Sequence, residues 1–311
     1  MDSISVTLKT ITPMFLGGAD GRTPELRAPS IKGVMRFWWR AMNGHLSIEK
    51  LRKKEGILFG SSDEKIGSSS FSLRIFDIQP DNNKKGISLT PHHDDEYCST
   101  DASKACNYRN EKCMKAIKRE EYFLGKFTIR VTSRASDKAA SIENILKITT
   151  ILGGLGKRSR RGFGSIKIED INGSNFTFDY SLNSIFKLLV DIVPNSFKVE
   201  DNKIKRAIHA HSNADYPYIK EIEIGTNCNN YKDLLKVIGK SSHNNNCKHT
   251  GFADGPMRFA SPIYVSVIED RGFYKPIITR LHTAPKETLG TPDKSAEFIS
   301  DILTSSAGGC K

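Results

Sequence analysis

The residues best suited to chemistry are four cations set among five glycines: Gly153, Gly154, Gly156, Lys157, Arg158, Arg160, Arg161, Gly162 and Gly164, with Leu155, Ser159 and Phe163 completing a dodecamer. Glycine lets the backbone pass through φ > 0 and come close to a ligand, and no acid stands among the cations, a pairing suited to a phosphate chain. A nucleotide-triphosphate loop needs Gly, four residues, then Gly-Lys-Ser/Thr. Here Ile151 holds the first of those positions and Arg158 the last, so that pattern fails twice. The dinucleotide fingerprint fails too, because Gly154-Leu155-Gly156 is followed three residues on by Ser159 and no strand precedes it. What remains is an anion-holding loop of another kind, or a mobile, solvated basic turn.

A second cationic group lies near the N-terminus. Pro29-Ser30 opens a predicted helix with Ser30 as its N-cap, and Lys32, Arg36, Arg40 and Asn43 then recur at intervals that place them on one face. Val34, Met35, Phe37, Trp38, Trp39, Ala41 and Met42 fill the rest of the circumference. Such a helix buries a wide aromatic side and shows a narrow basic ridge. Trp38 and Trp39 read as core rather than as platforms for bases. Ridge and loop together predict one ribose-phosphate cradle.

Among the elements that must carry them, Ile4, Val6 and Leu8 alternate as a half-buried strand before the helix. Strands are predicted at Phe71 to Ile75 and Phe127 to Val131, a helix over Ile142 to Leu152, and a strand at Phe163 to Ile168. The glycine loop thus connects the second helix to the closing strand of a βαββαβ, ferredoxin-like (RRM-like) unit. Residues from about 79 to 123 form an insertion between the middle strands, with a short helix expected over Glu111 to Tyr122. Further on, the pattern predicts helices at Ser184 to Ile192, Tyr231 to Ile238 and Ala296 to Leu303, and a strand at Ile219 to Ile224. A hairpin of Phe259 to Ile268 with Phe273 to Leu281 turns at Glu269-Asp270-Arg271-Gly272. The fold class is α+β, with tandem ferredoxin-like domains at 1–175 and 176–311, the second more irregular.

Charge supports that placement. Of the net +12, residues 1–175 hold 30 Lys and Arg against 20 Asp and Glu, a surplus of ten, and the remainder 17 against 15, a surplus of two. A polyanion is expected to meet the first domain. The hydrophobic fraction of 38% excludes a disordered chain. No apolar run reaches membrane-spanning length and the N-terminus lacks a signal pattern, so a cytoplasmic protein with no membrane partner is expected. Six sparse cysteines predict reduced thiols.

The run Glu25-Leu26-Arg27-Ala28-Pro29-Ser30-Ile31-Lys32-Gly33-Val34-Met35-Arg36-Phe37-Trp38-Trp39-Arg40-Ala41, preceded by Thr12-Pro13-Met14-Phe15-Leu16-Gly17-Gly18-Ala19-Asp20, resembles the signature of the first RAMP-type subunit of the Cmr complex, the type III-B CRISPR effector. The dodecamer resembles the glycine-rich loop of RAMP proteins, and Arg258-Phe259-Ala260-Ser261-Pro262-Ile263 their late motif. The resemblance implies a subunit without nuclease activity or cofactor, seated beside other RAMP subunits. It would hold the 3′ part of the guide RNA and admit complementary target RNA. It also makes Lys32, Arg36, Arg40, Lys157, Arg158, Arg160 and Arg161 the RNA-contact candidates, with Arg27 a weaker one.

Four rival readings stand beside this one. Other RAMP proteins cleave RNA with a histidine general base, but His45 ends the first helix on its apolar side, and His209 and His211 show no partner constellation. Zinc is conceivable at His92, His93, Cys98, Cys106 and Cys113, or at His243, Cys247 and His249, yet neither group has a Cys-x-x-Cys knuckle, and no metal is expected. A nucleotide-binding regulator or a purely structural adaptor would use the loop, or the tryptophans and second domain, differently.

Overall fold

A computed structural model describes residues 2–18, 20, 23–63, 66–81, 87–88, 119–120, 122–134, 139–207, 216–254, 257–282 and 292–308. The first sheet contains β1 (Asp2–Thr10), β2 (Phe71–Pro80), β5 (Gly125–Ser133), β6 (Ile166–Ile171) and β7 (Ser174–Asn175). These are ordered β2-β5-β1-β6-β7 with every pairing antiparallel. With α1 (Ala28–Met42) after β1 and α3 (Ala139–Leu152) after β5, this is the βαββαβ unit expected, extended by one short edge strand. The burial of Val6, Leu8, Phe127, Ile129, Val131, Ile166 and Ile168 follows the period of two that betrayed the strands.

One helix escaped the sequence reading. Residues Ile48–Phe59 form α2, capped by Ser47, whose hydroxyl accepts from the Lys50 amide, and closed by Gly60 at φ 90°. Ser47 before an acidic first turn and Gly60 beyond the last residue were its signals. The start of α1 also differs from expectation. Arg27 takes the N-cap position without a side-chain cap and Pro29 sits in the first turn, so Ser30 is already helical. His45 lies three residues past the end of α1 rather than within it.

The second sheet has the order β13-β14-β10-β9-β8, again antiparallel: β8 (Phe197–Glu200), β9 (Lys203–Arg206), β10 (Ile219–Ile224), β13 (Ile263–Asp270) and β14 (Phe273–Leu281). Here β10, α5 (Tyr231–Asn244), β13 and β14 reproduce the start of a ferredoxin-like unit, but the edge beside β10 is taken by the β8–β9 hairpin that precedes it in the chain. That is the irregularity of this half. The hairpin turns through Asp201 and Asn202 at φ 51° and 56°, and β13–β14 through Arg271 and Gly272 at 52° and 82°, the two-residue left-handed turns that match strand twist. Phe259 does not begin β13, because Pro262 cannot donate to a ladder. It belongs instead to a two-stranded pair, β11 (Phe252–Asp254) with β12 (Met257–Phe259). Helices α4 (Leu182–Ile192) and α6 (Ser295–Gly308) complete the chain.

Helix α3 packs on β1 and β6 of one sheet and on β13 and β14 of the other. That is why Ile142 and the whole run from Ile148 to Leu152 are buried, although the sequence pattern suggested one apolar face. One hydrophobic cluster runs from Val6 and Trp38 through α3 to Leu189, Ile222 and Ile277. The carbonyl end of α1 is held from the second half of the chain. The Arg206 guanidinium donates to Ala41 O and Met42 O at 3.2 and 3.1 Å, and the Tyr216 hydroxyl to Asn43 O and Leu46 O at 3.0 and 2.8 Å. Burial pulls the Arg206 guanidinium down to about 10.

In the insertion, β3 (Ile87–Ser88) pairs with β4 (Arg119–Glu120), so the helix expected over 111–122 does not extend through 119–120. Tyr122 is not helical either, and residues 111–118 and 121 of that expected helix, with the acidic run at 94–96, lie outside the described residues. The expectation of reduced thiols holds at Cys247, which is free, and fails at Cys228, which is disulfide-bonded. Among the described residues no helix is long and apolar enough to cross a membrane.

Candidate nucleic-acid interface

Lys32, Arg36 and Arg40 do share one face of α1, and α2 lies along its flank. The two helices enclose a cleft of about 500 Å³ lined by Arg36, Arg40, Arg52, Glu55, Phe59 and Ser61, among others. Glu55 organises it. Its carboxylate, 7% exposed, takes two hydrogen bonds from Arg40, one of them from Nη2 at 2.6 Å, and an ion pair from Arg36 Nε at 3.3 Å. Arg36 also donates to Phe59 O and Gly60 O at 3.0 and 3.1 Å, which satisfies the carbonyl end of α2. Three guanidiniums and one carboxylate line the cleft, which keeps a surplus of two positive charges, and the ion pairs to Glu55 hold Arg36 and Arg40 in fixed positions instead of waving in solvent. Arg36 and Arg40 remain 36% and 46% exposed, enough to meet a ligand.

Lys32 is more withdrawn. Its ammonium donates to Phe71 O at 3.2 Å and sits 4.5 Å from the Phe71 ring centre, and burial, with Arg36 nearby, lowers its proton affinity. Arg27 is exposed at the helix start. Trp38 and Trp39 are 0% and 8% exposed and belong to the core, as read from the sequence. The sequence reading missed α2 and therefore Glu55 and Arg52, both legible in principle from a period that places Leu51, Glu55 and Leu58 together.

The glycine loop is a fixed joint, not a mobile turn. Its backbone is tied to the segment after β1 by Lys157 N to Phe15 O at 2.8 Å and Gly164 N to Pro13 O at 2.9 Å. The Thr12 hydroxyl donates to Gly162 O at 2.6 Å and accepts from the Ser165 amide at 3.0 Å. Gly156, Gly162 and Gly164 have φ of 86°, 81° and 64°, and Arg158 joins them at 56°. Gly153 lies against the Trp38 indole and Gly154 against the carbonyls of Phe163 and Gly164, so neither leaves room for a side chain. Of the dodecamer, Gly156 and Lys157 alone are exposed.

The arginines turn toward the second half of the chain. Arg160 donates to Ser261 O, and its guanidinium lies 5.6 and 5.8 Å from the ring centres of Phe37 and Tyr264. Arg161 donates to Ser261 Oγ at 3.0 Å, Ile263 O at 3.1 Å and Arg160 O at 3.0 Å, and to Thr250 O. Burial, with Arg158 and Arg160 close by, brings Arg161 down to about 9, still protonated at neutral pH. The loop and the late motif around Ser261, a hundred residues apart in sequence, are therefore two sides of one contact. The single cradle foreseen from the sequence is two clefts. Arg36 and Arg40 line the first with α2, while Arg158, Arg160 and Arg161 line a second with α5.

Among the histidines, His45 is half-buried with Nδ1 lacking a hydrogen-bond partner among the described residues, and burial, Arg206 and Lys54 lower its proton affinity. His209 and His211 lie outside the described residues, as do His92, His93, Cys98, Cys106 and Cys113. His249 Nδ1 stands 3.7 Å from Asp293, and the Cys247 thiol and the Thr250 hydroxyl are 3.5 Å apart. Among the described residues no three His, Cys, Asp or Glu side chains gather where they could hold a metal.

Comparison with known proteins accords with this architecture. The sequence model of the RAMP superfamily matches residues 7–167, which include α1, α2 and the whole glycine loop. The CRISPR system Cmr subunit Cmr1-2 of Pyrococcus furiosus is 34% identical over 175 residues, covering 52% of this chain and 92% of the relative. The crystal structure of Cmr1 from Pyrococcus furiosus in its apo form superposes with a TM-score of 0.60 at 20% identity, over 97% of this chain and 96% of that one. A chain of the type III-B Cmr-beta complex bound to cognate target RNA gives a TM-score of 0.57 at 14% identity, over 99% of each chain. With the family model spanning half the sequence and a Cmr1 relative covered almost end to end, the chain belongs to the RAMP superfamily, among its Cmr1-type subunits.

Proposed function

We propose that this chain is a non-catalytic RNA-binding subunit of a type III-B CRISPR ribonucleoprotein, holding the 3′ part of the guide RNA beside other Cmr subunits and helping to capture complementary target RNA. The observation that carries the reading is the α1–α2 cleft, where Arg36 and Arg40 pair with one buried carboxylate and Arg52 adds a third guanidinium to the lining, all inside the family's matched segment. Positioned guanidiniums with surplus charge bind phosphates without regard to base, and base pairing between guide and target supplies the sequence choice. That division suits a carrier of many guides. Its relative in the Cmr-beta complex is found with cognate target RNA.

The non-catalytic reading draws support from His45. It lies three residues past α1, where Arg206 and Lys54 act on it, and it is not among the residues that line the Arg36 and Arg40 cleft. A labelled guide RNA incubated with the full chain and a chelator is expected to stay full length. Fragmentation that disappears in His45→Ala would instead establish the histidine-dependent endoribonuclease.

Crosslinking RNA to the assembled particle, with peptides mapped on this chain, tests the binding role. Crosslinks are expected within residues 27–60 and at Lys157. A particle whose RNA crosslinks to its other subunits and nowhere on this chain would make it a structural adaptor and overturn the proposal.

A further inference from the structure

The second cleft has features that its structural duties leave unexplained. It measures about 460 Å³, within the roughly 300–1,000 Å³ of small-ligand pockets, and is lined by the three loop arginines together with Ser242, Asn246, Phe252 and Phe259. Arg160 and Arg161 spend their donors on neutral carbonyls and a hydroxyl, which accept hydrogen bonds but cancel no charge. Among the described residues no carboxylate lines the cleft. Among the described residues two buried polar atoms of the lining have no hydrogen-bond partner, Arg158 Nε from the loop and Ser242 Oγ from α5. An unpaired buried donor of this kind is destabilising, more so when charged. Arg158 is moreover held at φ 56°, a left-handed backbone that a non-glycine residue rarely adopts.

A ligand that would satisfy the uncancelled charge and the two orphaned atoms is an anion with several acceptor oxygens. Beside the arginines, Phe252 and Phe259 are directly opposite each other across the β11–β12 pair and both line the cleft. A cross-strand pair of rings on one face is a stacking platform for a flat heterocycle. We propose that this cleft is a pocket for a single nucleotide unit, its phosphate held by Arg158 and Ser242 in the field of Arg160 and Arg161, and its base laid on Phe252 and Phe259. The proposal deepens the RNA-binding reading on which it rests, by giving the inner side of the loop its own ligand, distinct from the chain of phosphates met by the α1–α2 cleft.

Titration calorimetry on the full chain with AMP, adenosine and inorganic phosphate tests it. AMP is expected to bind saturably and adenosine at least about tenfold more weakly, the loss of one charge-assisted contact set. Ser242→Asp, which gives the Arg158 guanidinium a resident carboxylate, is expected to raise the melting temperature and to cut AMP affinity at least about tenfold. Ser242→Ala, which can hardly disturb folding, should weaken AMP by a few-fold. No AMP binding by the wild type, or binding untouched by Ser242→Asp, overturns the pocket. A five-nucleotide RNA that displaces AMP assigns the pocket to the RNA chain, and one that does not assigns it to a free nucleotide, and either result upholds a nucleotide pocket. A longer RNA measured on the same samples separates the two claims. RNA binding lost in Arg40→Gln/Arg52→Gln with no AMP binding sinks the pocket alone, and AMP binding without RNA binding sinks the RNA reading alone.

Discussion

Gly164→Ala should unfold or nearly unfold the protein, with a loss of about 4 kcal/mol, as backbone strain and overpacking add. Gly164 has φ 64°, where an L side chain costs energy before it touches anything. A Cβ there would also fall onto the Leu155 carbonyl oxygen, which cannot retreat because Gly164 and Leu155 are joined by the Leu155 N to Gly164 O hydrogen bond of 2.9 Å. Nor can Gly164 move, since its own amide is committed to Pro13 O. Urea unfolding followed by circular dichroism gives the midpoint and slope. A variant with the wild-type midpoint would show that the loop is free to rearrange and that the crossing of its two ends is not fixed.

Arg161→Ala should be the most damaging of the loop's arginine substitutions, at about 3 kcal/mol. The side chain is the bridge between the glycine loop and the late motif, with donors on Thr250, Ser261 and Ile263 and its guanidinium 4.8 Å from the Phe298 ring centre in α6. Removing it leaves those acceptors facing a void in which water is confined. Arg161→Lys should recover little, because a single ammonium cannot span acceptors that the planar fork reaches together. The check is a comparison of melting temperatures for Arg158→Ala, Arg160→Ala, Arg161→Ala and Arg161→Lys. A drop at Arg161 no larger than at Arg158 would place its role outside folding.

Much of the first sheet was legible because its strands are half-buried and its residues alternate, and the βαββαβ order follows once Ile142 to Leu152 is read as a helix. The basic ridge was legible too, since four-residue spacing needs nothing but helix geometry. What the sequence concealed is what the charges do. The isolated string of Lys157, Arg158, Arg160 and Arg161 reads as an anion-binding loop, yet Arg160 and Arg161 find backbone acceptors a hundred residues away, a pairing no local pattern encodes. Glu55 was hidden for the converse reason. As one carboxylate in a basic stretch it looks like surface, and only the packing of α2 on α1 shows it nearly buried between two guanidiniums. The β8–β9 hairpin leaves little trace in the sequence because its strands have four residues each, although Asp201-Asn202 is a turn signal.

The central claim is that the α1–α2 cleft binds RNA through its phosphates, and the salt dependence of binding addresses it most directly. Fluorescence anisotropy of a labelled single-stranded RNA would be measured from low to moderate salt on the full chain and on Arg40→Gln/Arg52→Gln. Each lost phosphate contact on a single strand removes about 0.7 from the slope of log affinity against log salt, so the double variant should be shallower by about 1.4 and bind at least about tenfold more weakly at low salt. A folded double variant with the wild-type slope and affinity would contradict the account.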